Sequence, residues 1–320
     1  MYSELEDTER TFYINILKKS ADYKGLLTYE RCKAYLIKTS LIKISKTLSN
    51  FIQNTKYDKC SRILPIIVSS EVDKIQLFDI IQTKSQEGRL VYVPSPPEAV
   101  TIFYHIYSCL IEELGLDVFE EISKKIQTHK VRRTRFVNAF TNYFQDIKKK
   151  EQNILRFEKE IKVAENSLEL IQLIGNFSND VLLLFFDDIE LPYEKYGEYA
   201  GRKWLESIKR LHYDVKQLII ILICSKDSWL KILNLSDESF SSILGPEIKF
   251  GDFAQLKDFI TKTMEEYWLK SDINPPINPY FPLNEKLVNL FFEKTERDIR
   301  RFLKLYIEAI AKIISGELSL

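Results

Sequence analysis

The sequence predicts an α/β protein: a three-layer domain on a parallel sheet, preceded by an N-terminal helical segment and followed by a small C-terminal α-helical domain. Three observations carry this. The runs VLLLFF (181–186) and LIIILIC (218–224) are apolar without alternation, as strands buried on both faces of a parallel sheet must be. Two shorter β-rich runs, RILPIIVSS from Arg62 and RLVYVPSPP from Arg89, flank a helix-length segment, the spacing of a βαβ unit. From Gly251 onward the periodicity is helical only.

In chain order, residues 1–60 alternate charged and apolar residues at helical spacing, as in TERTFYINILKKS, and are expected to pack on the main domain. The α/β domain is expected over 61–250. Its first crossover helix lies within EVDKIQLFDIIQTKSQEG, where Ile75, Leu77, Phe78 and Ile81 share a face. A helix from about Pro97 to Leu114 follows the second strand, and then a charged helical insertion over about 115–175. In that insertion Ile154, Leu155, Phe157, Ile161, Val163 and Leu168 are too irregular for a heptad seam, which predicts a packed helix rather than a coiled-coil arm. Between the two long apolar runs, Trp204, Leu205, Ile208 and Leu211 mark the crossover helix.

The C-terminal helical domain is expected over 251–320. Asp252 and Gln255 have capping-box spacing, and Leu256, Phe259, Ile260, Met264, Tyr267 and Trp268 form one stripe. NPPINPYFPLN (274–284) is broken by prolines, each of which removes a donor and disfavours helix just before it. The last helix aligns Ile299, Phe302, Leu303, Tyr306, Ile310 and Ile314.

Composition narrows the function. Lys plus Arg and Asp plus Glu both total 46, so no global field draws the chain to nucleic acid or membrane, and any such contact must be local. Cys32, Cys60, Cys109 and Cys224 form no CxxC pair, a pattern of reduced thiols. His105, His129 and His212 lack ligand spacing, which argues against a catalytic metal triad. No apolar run approaches the roughly 18 residues of a membrane span, and no leader pattern opens the chain, so a cytoplasmic protein with no membrane partner is expected.

The sharpest motif is VLLLFFDDIE. A buried strand ending in Asp187 and Asp188 delivers two carboxylates to the carboxyl edge of the sheet, where ligands of open α/β folds bind. There one acid, Asp187, can hold Mg²⁺ while its neighbour, Asp188, positions an attacking water; a solvated acidic turn is the plain alternative. The segment IIVSSEVDKIQL (66–77) has the outline of a phosphate-binding strand–helix turn with Lys74 as its cation. Laying GxxxxGK[ST] on it puts Val68, Asp73 and Ile75 at the glycine, glycine and hydroxyl positions. Without glycine the backbone cannot wrap its N–H groups around phosphate oxygens, so the loop is degenerate.

This ordered series resembles the AAA+ ATPases, and within them the origin-recognition and replication-initiator branch of archaea and eukaryotes. The resemblance covers about 60–320. LIIILICS falls at the place of the first sensor, with Ser225 where an asparagine is usual. RDIRRFLKLYIEA (297–309) is similar to the branch's GD[IV]R second-sensor helix, with Arg297 in the glycine's place and Arg300 in that of the phosphate-reaching arginine. SSILGPEIKFGDF (241–253) lacks an arginine for a finger, and no winged helix is expected after the helical domain. The resemblance implies ATP or ADP with Mg²⁺ held by Lys74, Asp187, Ser225 and Arg300, with Asp188 catalytic if the site is active. With the loop lost, it equally allows no cofactor.

KKIQTHKVRRTR (124–135) holds Lys124, Lys125, Lys130, Arg132, Arg133 and Arg135 without an acid, and the lysines at 148–150 follow. Such a cluster suits the phosphate backbone of DNA, and it lies in the interval where the initiator branch carries DNA-contacting helices; a solvated helix face is the alternative. YEKYGEY (193–199) offers rings for base stacking or, alternatively, a loop packed on the domain. Three functions stay open: a non-hydrolysing subunit or adaptor in DNA transactions, homo- or hetero-oligomeric; a working ATPase; and a protein-interaction scaffold without nucleotide or DNA.

Overall fold

The structure is a computed structural model that describes residues 7–68, 74–84, 88–95, 102–129, 134–145, 157–178, 180–250, 252–295 and 298–318. The chain divides into two compact units, Ile42–Lys249 and a second made of Met1–Leu41 with Phe250–Leu320.

The larger unit is the expected three-layer α/β domain. Its strands are β1 (Arg62–Val68), β2 (Gly88–Val93), β3 (Val181–Phe186), β4 (Leu218–Ser225) and the two-residue β5 (Ile248–Lys249). They form one parallel sheet in the order β2-β3-β4-β1-β5. All residues of β3 and all but the last of β4 are buried, which is why both read as unbroken apolar runs. The expected strands are present; β5 was not anticipated, being too short to carry a periodic signal.

The strand order fixes which helices cover which face. From β1 the chain crosses β4 and β3 to reach β2 at the edge, through α4 (Lys74–Lys84); from β2 to β5 it moves the other way. Right-handed crossovers in opposite directions place their helices on opposite faces. On one face Phe78 of α4 meets Tyr92 and Phe185 edge-on, both at 5.3 Å. On the other face Val91, Val93, Leu184, Phe186, Ile220 and Leu222 share a core with α5 (Ile102–Leu114), α6 (Leu116–Thr128), α7 (Arg135–Gln145), α8 (Ala164–Phe177) and α9 (Leu191–Asp214).

Trp204, Leu205, Ile208 and Leu211 are buried from α9 as expected, and Leu77 and Ile81 from α4; the Ile75 side chain lies outside the described residues. α9 begins earlier than its apolar stripe suggests. YEKYGEY, expected as a loop that stacks on bases or packs on the domain, is helical and broken at Gly197 (φ 82°, ψ −173°), a conformation open to glycine. Tyr196 and Tyr199 on it are exposed.

The smaller unit is helical. The expected N-terminal segment divides within α3 (Tyr29–Asp58), and Tyr13 and Leu17 of α1 (Asp7–Lys19) and Tyr23 of α2 (Tyr23–Leu26) are buried with the C-terminal helices. Rings make this contact: Tyr13 packs edge-on to Trp268 at 5.3 Å, and Tyr23 to Tyr267 at 6.1 Å. Helix α10 (Lys226–Leu235) and the short α11 (Glu238–Ile243) complete the larger unit. The smaller one continues with α12 (Phe253–Lys270), α13 (Glu285–Lys294) and α14 (Ile299–Ser315). The expected Asp252–Gln255 capping box is present, and every residue of the expected α12 stripe is buried.

Candidate functional site

The site lies at the carboxyl ends of β1, β3 and β4. β1 and β4 are neighbours whose onward connections leave in opposite directions, one to β2 and one to β5, which opens a crevice beyond their carboxyl ends. Val68 pairs with Ser225, so β1 and β4 end level, whereas Phe186 pairs with Leu222, so β3 ends three residues earlier. Since α4 must cross β4 and β3 on its way to β2, its first residue, Lys74, comes over the end of β3 rather than staying beside β1.

Lys74 meets both acids there. Its Nζ is 2.8 Å from Asp187 Oδ1 and also donates to Asp188 Oδ1. Asp187 is buried and fully engaged: Oδ1 also accepts the Asp188 backbone N–H at 2.7 Å, and Oδ2 accepts the Tyr92 hydroxyl at 2.7 Å. Asp188 has φ 48°, a left-handed turn that aspartate tolerates, and its side chain stays 45% exposed. Burial opposes charge on Lys74, but its bonds to Asp187 and Asp188 outweigh this and hold its pKa above the ordinary lysine value. Burial, and then the Asp187 carboxylate, push the Tyr92 phenol up as well.

Glu190 closes the second side. It stands at the N-cap of α9, yet its side chain does not cap the helix, and its Oε2 is buried without a hydrogen-bond partner among the described residues. Burial raises its pKa, while the Lys74 charge and the Ser228 hydroxyl work the other way. Ser228 in turn is tied to Ser225, whose Oγ donates to Ser228 Oγ at 2.8 Å and accepts the Ser228 N–H at 3.2 Å. Ser225 therefore serves as the N-cap of α10, a use of its hydroxyl that the sensor resemblance does not foresee.

The structure thus brings Lys74, Asp187 and Asp188 together, with Ser225 at the adjacent strand end. Tyr92, Glu190 and Ser228 were missed. Glu190 was readable, two residues beyond the aspartates in DDIE; Tyr92 and Ser228 gave no signal. Among the described residues, no group of three or more His, Cys, Asp or Glu is placed to hold a metal ion. The Asp188 carboxylate does suit Mg²⁺, which takes one or two acids beside substrate phosphates, and Lys74 suits the phosphates themselves.

Arg300 lies in the smaller unit, its guanidinium 4.1 Å from the centre of the Tyr29 ring. The two border an open groove of about 740 Å³ that Leu27, Leu303 and Ile307 floor and Lys24 and Lys304 flank. Arg297 lies outside the described residues.

The basic segment is largely self-compensated where described. Lys124 pairs with Glu120 at 2.7 Å, Lys125 with Glu121 at 2.8 Å, and Arg135 with Glu160 at 2.8 Å. Lys125 also donates to the Phe177 carbonyl at 3.0 Å. Lys130, Arg132, Arg133 and the lysines at 148–150 lie outside the described residues.

No protein-family model matches the chain, and no curated protein matches it. It is similar to solved structures of Drosophila ORC. For Drosophila ORC bound to DNA the TM-score is 0.43 at 9% identity, over 98% of this chain and 45% of that one. For Drosophila ORC bound to GC-rich DNA and Cdc6 the values are 0.41 and 9%, over 98% and 43%. For Drosophila ORC bound to AT-rich DNA and Cdc6 they are 0.42 and 9%, over 99% and 44%. The chain spans less than half the length of each. Among the described residues no helix is long and apolar enough to cross a membrane.

Proposed function

We propose that the chain is a nucleotide-binding, non-hydrolysing AAA+-like subunit that acts on DNA as part of a protein assembly. One observation carries the nucleotide half: Lys74, Asp187 and Asp188 converge at the carboxyl edge of a parallel sheet, beside the crevice between β1 and β4. In this reading Lys74 meets the phosphates and Asp188, the more exposed acid, meets Mg²⁺, while Asp187 is held by Tyr92 and orients the pair. Mg²⁺ would neutralise phosphate charge there. Absence of turnover follows from the degenerate phosphate loop and from an Asp188 carboxylate that is given to Mg²⁺ rather than to a water.

The DNA half rests on the basic segment, Lys124, Lys125, Lys130, Arg132, Arg133 and Arg135, of which Lys124, Lys125 and Arg135 would exchange acidic partners for phosphate. Arginine-rich contact with phosphate is its chemistry.

Thermal stability with and without MgATP and MgADP tests the nucleotide half. A ligand that binds only the folded state raises the melting temperature, and Lys74→Ala abolishes that rise. No shift at millimolar nucleotide defeats the reading.

A second reading, a working ATPase, is favoured by Glu190, a half-buried carboxylate that feels the Lys74 charge and has one buried oxygen without a partner among the described residues. Multiple-turnover phosphate release that Glu190→Gln removes, in a variant that still takes up nucleotide, selects it over the first.

A further inference from the structure

Resting on the nucleotide-site reading above, we propose that Lys74 is an internal counter-ion that keeps divalent cations off the acidic strand end until a polyphosphate draws it away. The site already holds a cation, and that cation is the protein's own. Lys74 Nζ sits between two carboxylates, 2.8 Å from one and in contact with the other. A metal ion approaching Asp188 meets a resident positive charge and must displace two charge-assisted hydrogen bonds to enter. Asp187 gives no alternative entry, because it is buried and both of its oxygens accept protein donors.

A polyphosphate changes this balance. It offers Lys74 an anion of higher charge, and once the ammonium turns to it, Asp188 becomes free on its exposed, left-handed turn. A divalent cation can then sit between that carboxylate and the phosphate oxygens, neutralising both. Without the metal, phosphate faces two uncompensated aspartates; without phosphate, the metal faces Lys74. Each ligand therefore binds weakly alone and strengthens the other by the same factor, since the coupling is reciprocal. Lys74 in this arrangement is a regulatory contact as well as a phosphate ligand, and removing it unmasks cation binding.

The test uses Mn²⁺ as the probe, titrated into the full chain and followed by the paramagnetic resonance signal of the free ion. The expected result is that the wild-type chain leaves Mn²⁺ free, while Lys74→Met binds it at least about tenfold more tightly. Adding Asp188→Asn to Lys74→Met removes that gain. Circular dichroism verifies folding, and Lys74→Ala serves as a second neutral variant. Equal Mn²⁺ binding by wild type and Lys74→Met, or no binding by either folded variant, overturns the lock. If neither variant folds, the wild type decides: Mn²⁺ affinity must rise at least about tenfold with ADP, and a smaller change overturns it. Failure of ADP to bind the wild type, with Mn²⁺ still gained by Lys74→Met, removes the nucleotide reading and leaves exclusion by Lys74 standing. Full-strength binding of Mn²⁺ and ADP each alone does the reverse.

Discussion

The Tyr92 hydroxyl donates to Asp187 Oδ2 at 2.7 Å, and through this bond the second strand orients the acid at the end of the third. The Tyr92 ring stacks on Phe185 at 5.7 Å with 25° between planes, so its position is set by the sheet and its polar tip by the site. Tyr92→Phe keeps the ring and removes the donor. It is expected to cost about 1–2 kcal/mol, because a buried carboxylate oxygen is left without a partner. Urea denaturation of the two proteins measures this, and no change would mean that water replaces the hydroxyl.

The Lys74 contact should be insensitive to pH across the neutral range. Its folded-state pKa is raised, so its stabilisation is fully present below the unfolded value and is lost only as pH rises through the folded one. Lys74→Met is expected to be less stable than wild type by about 1–2 kcal/mol, the partial exposure of the pair lowering the cost below that of a fully buried one. The gap holds from about pH 6 to pH 9 and narrows above about 10.4. A gap that closes near neutrality would assign it to another group.

Glu190 should behave in the opposite sense. Burial raises its pKa in the fold, so the native state binds this proton more tightly than the unfolded chain does. Its contribution favours folding at low pH and is lost as pH rises above about 4.3, the unfolded value. Glu190→Gln removes the ionisation, so the variant gains on wild type as pH climbs from 4 to 8 in melting-temperature series. Parallel curves would contradict this.

Arg300 and Tyr29 form a double-mutant cycle within one unit. Their stacking geometry predicts a coupling of about 0.5–1 kcal/mol between Arg300→Ala and Tyr29→Ala, measured by denaturation of the two single variants and the double. Additive effects would mean that the guanidinium gains nothing from the ring.

For DNA, the ion pairs of Lys124 and Lys125 separate two sets of residues. Lys130→Ala, Arg132→Ala and Arg133→Ala should each lower the salt slope of binding by about 0.9. Lys124→Ala should lower it likewise, as its ion pair yields to phosphate. An unchanged slope there would show that the acid at 120 keeps its lysine.

The fold class was legible in the residues because burial on both faces leaves a trace in one dimension. β3 and β4 can only be continuous apolar runs, and the stripe from Leu256 to Trp268 can only be one side of a helix whose start Asp252 and Gln255 mark. The candidate acids were legible for the same reason: a charged pair directly after a buried strand must emerge at its end.

What the linear pattern did not carry is which groups meet. Lys74 contacts Asp187 and Asp188 because β4 lies between β1 and β3 and α4 must cross over it, a strand order that no local spacing encodes. The hydroxyl of Ser225 serves the helix that follows it, Arg300 lies on a tyrosine far away in the chain, and Tyr92 reaches an acid on the neighbouring strand. Local periodicity depends on each residue's own burial and is written along the chain. Pairing depends on the distance between elements, and that exists only once the sheet has assembled.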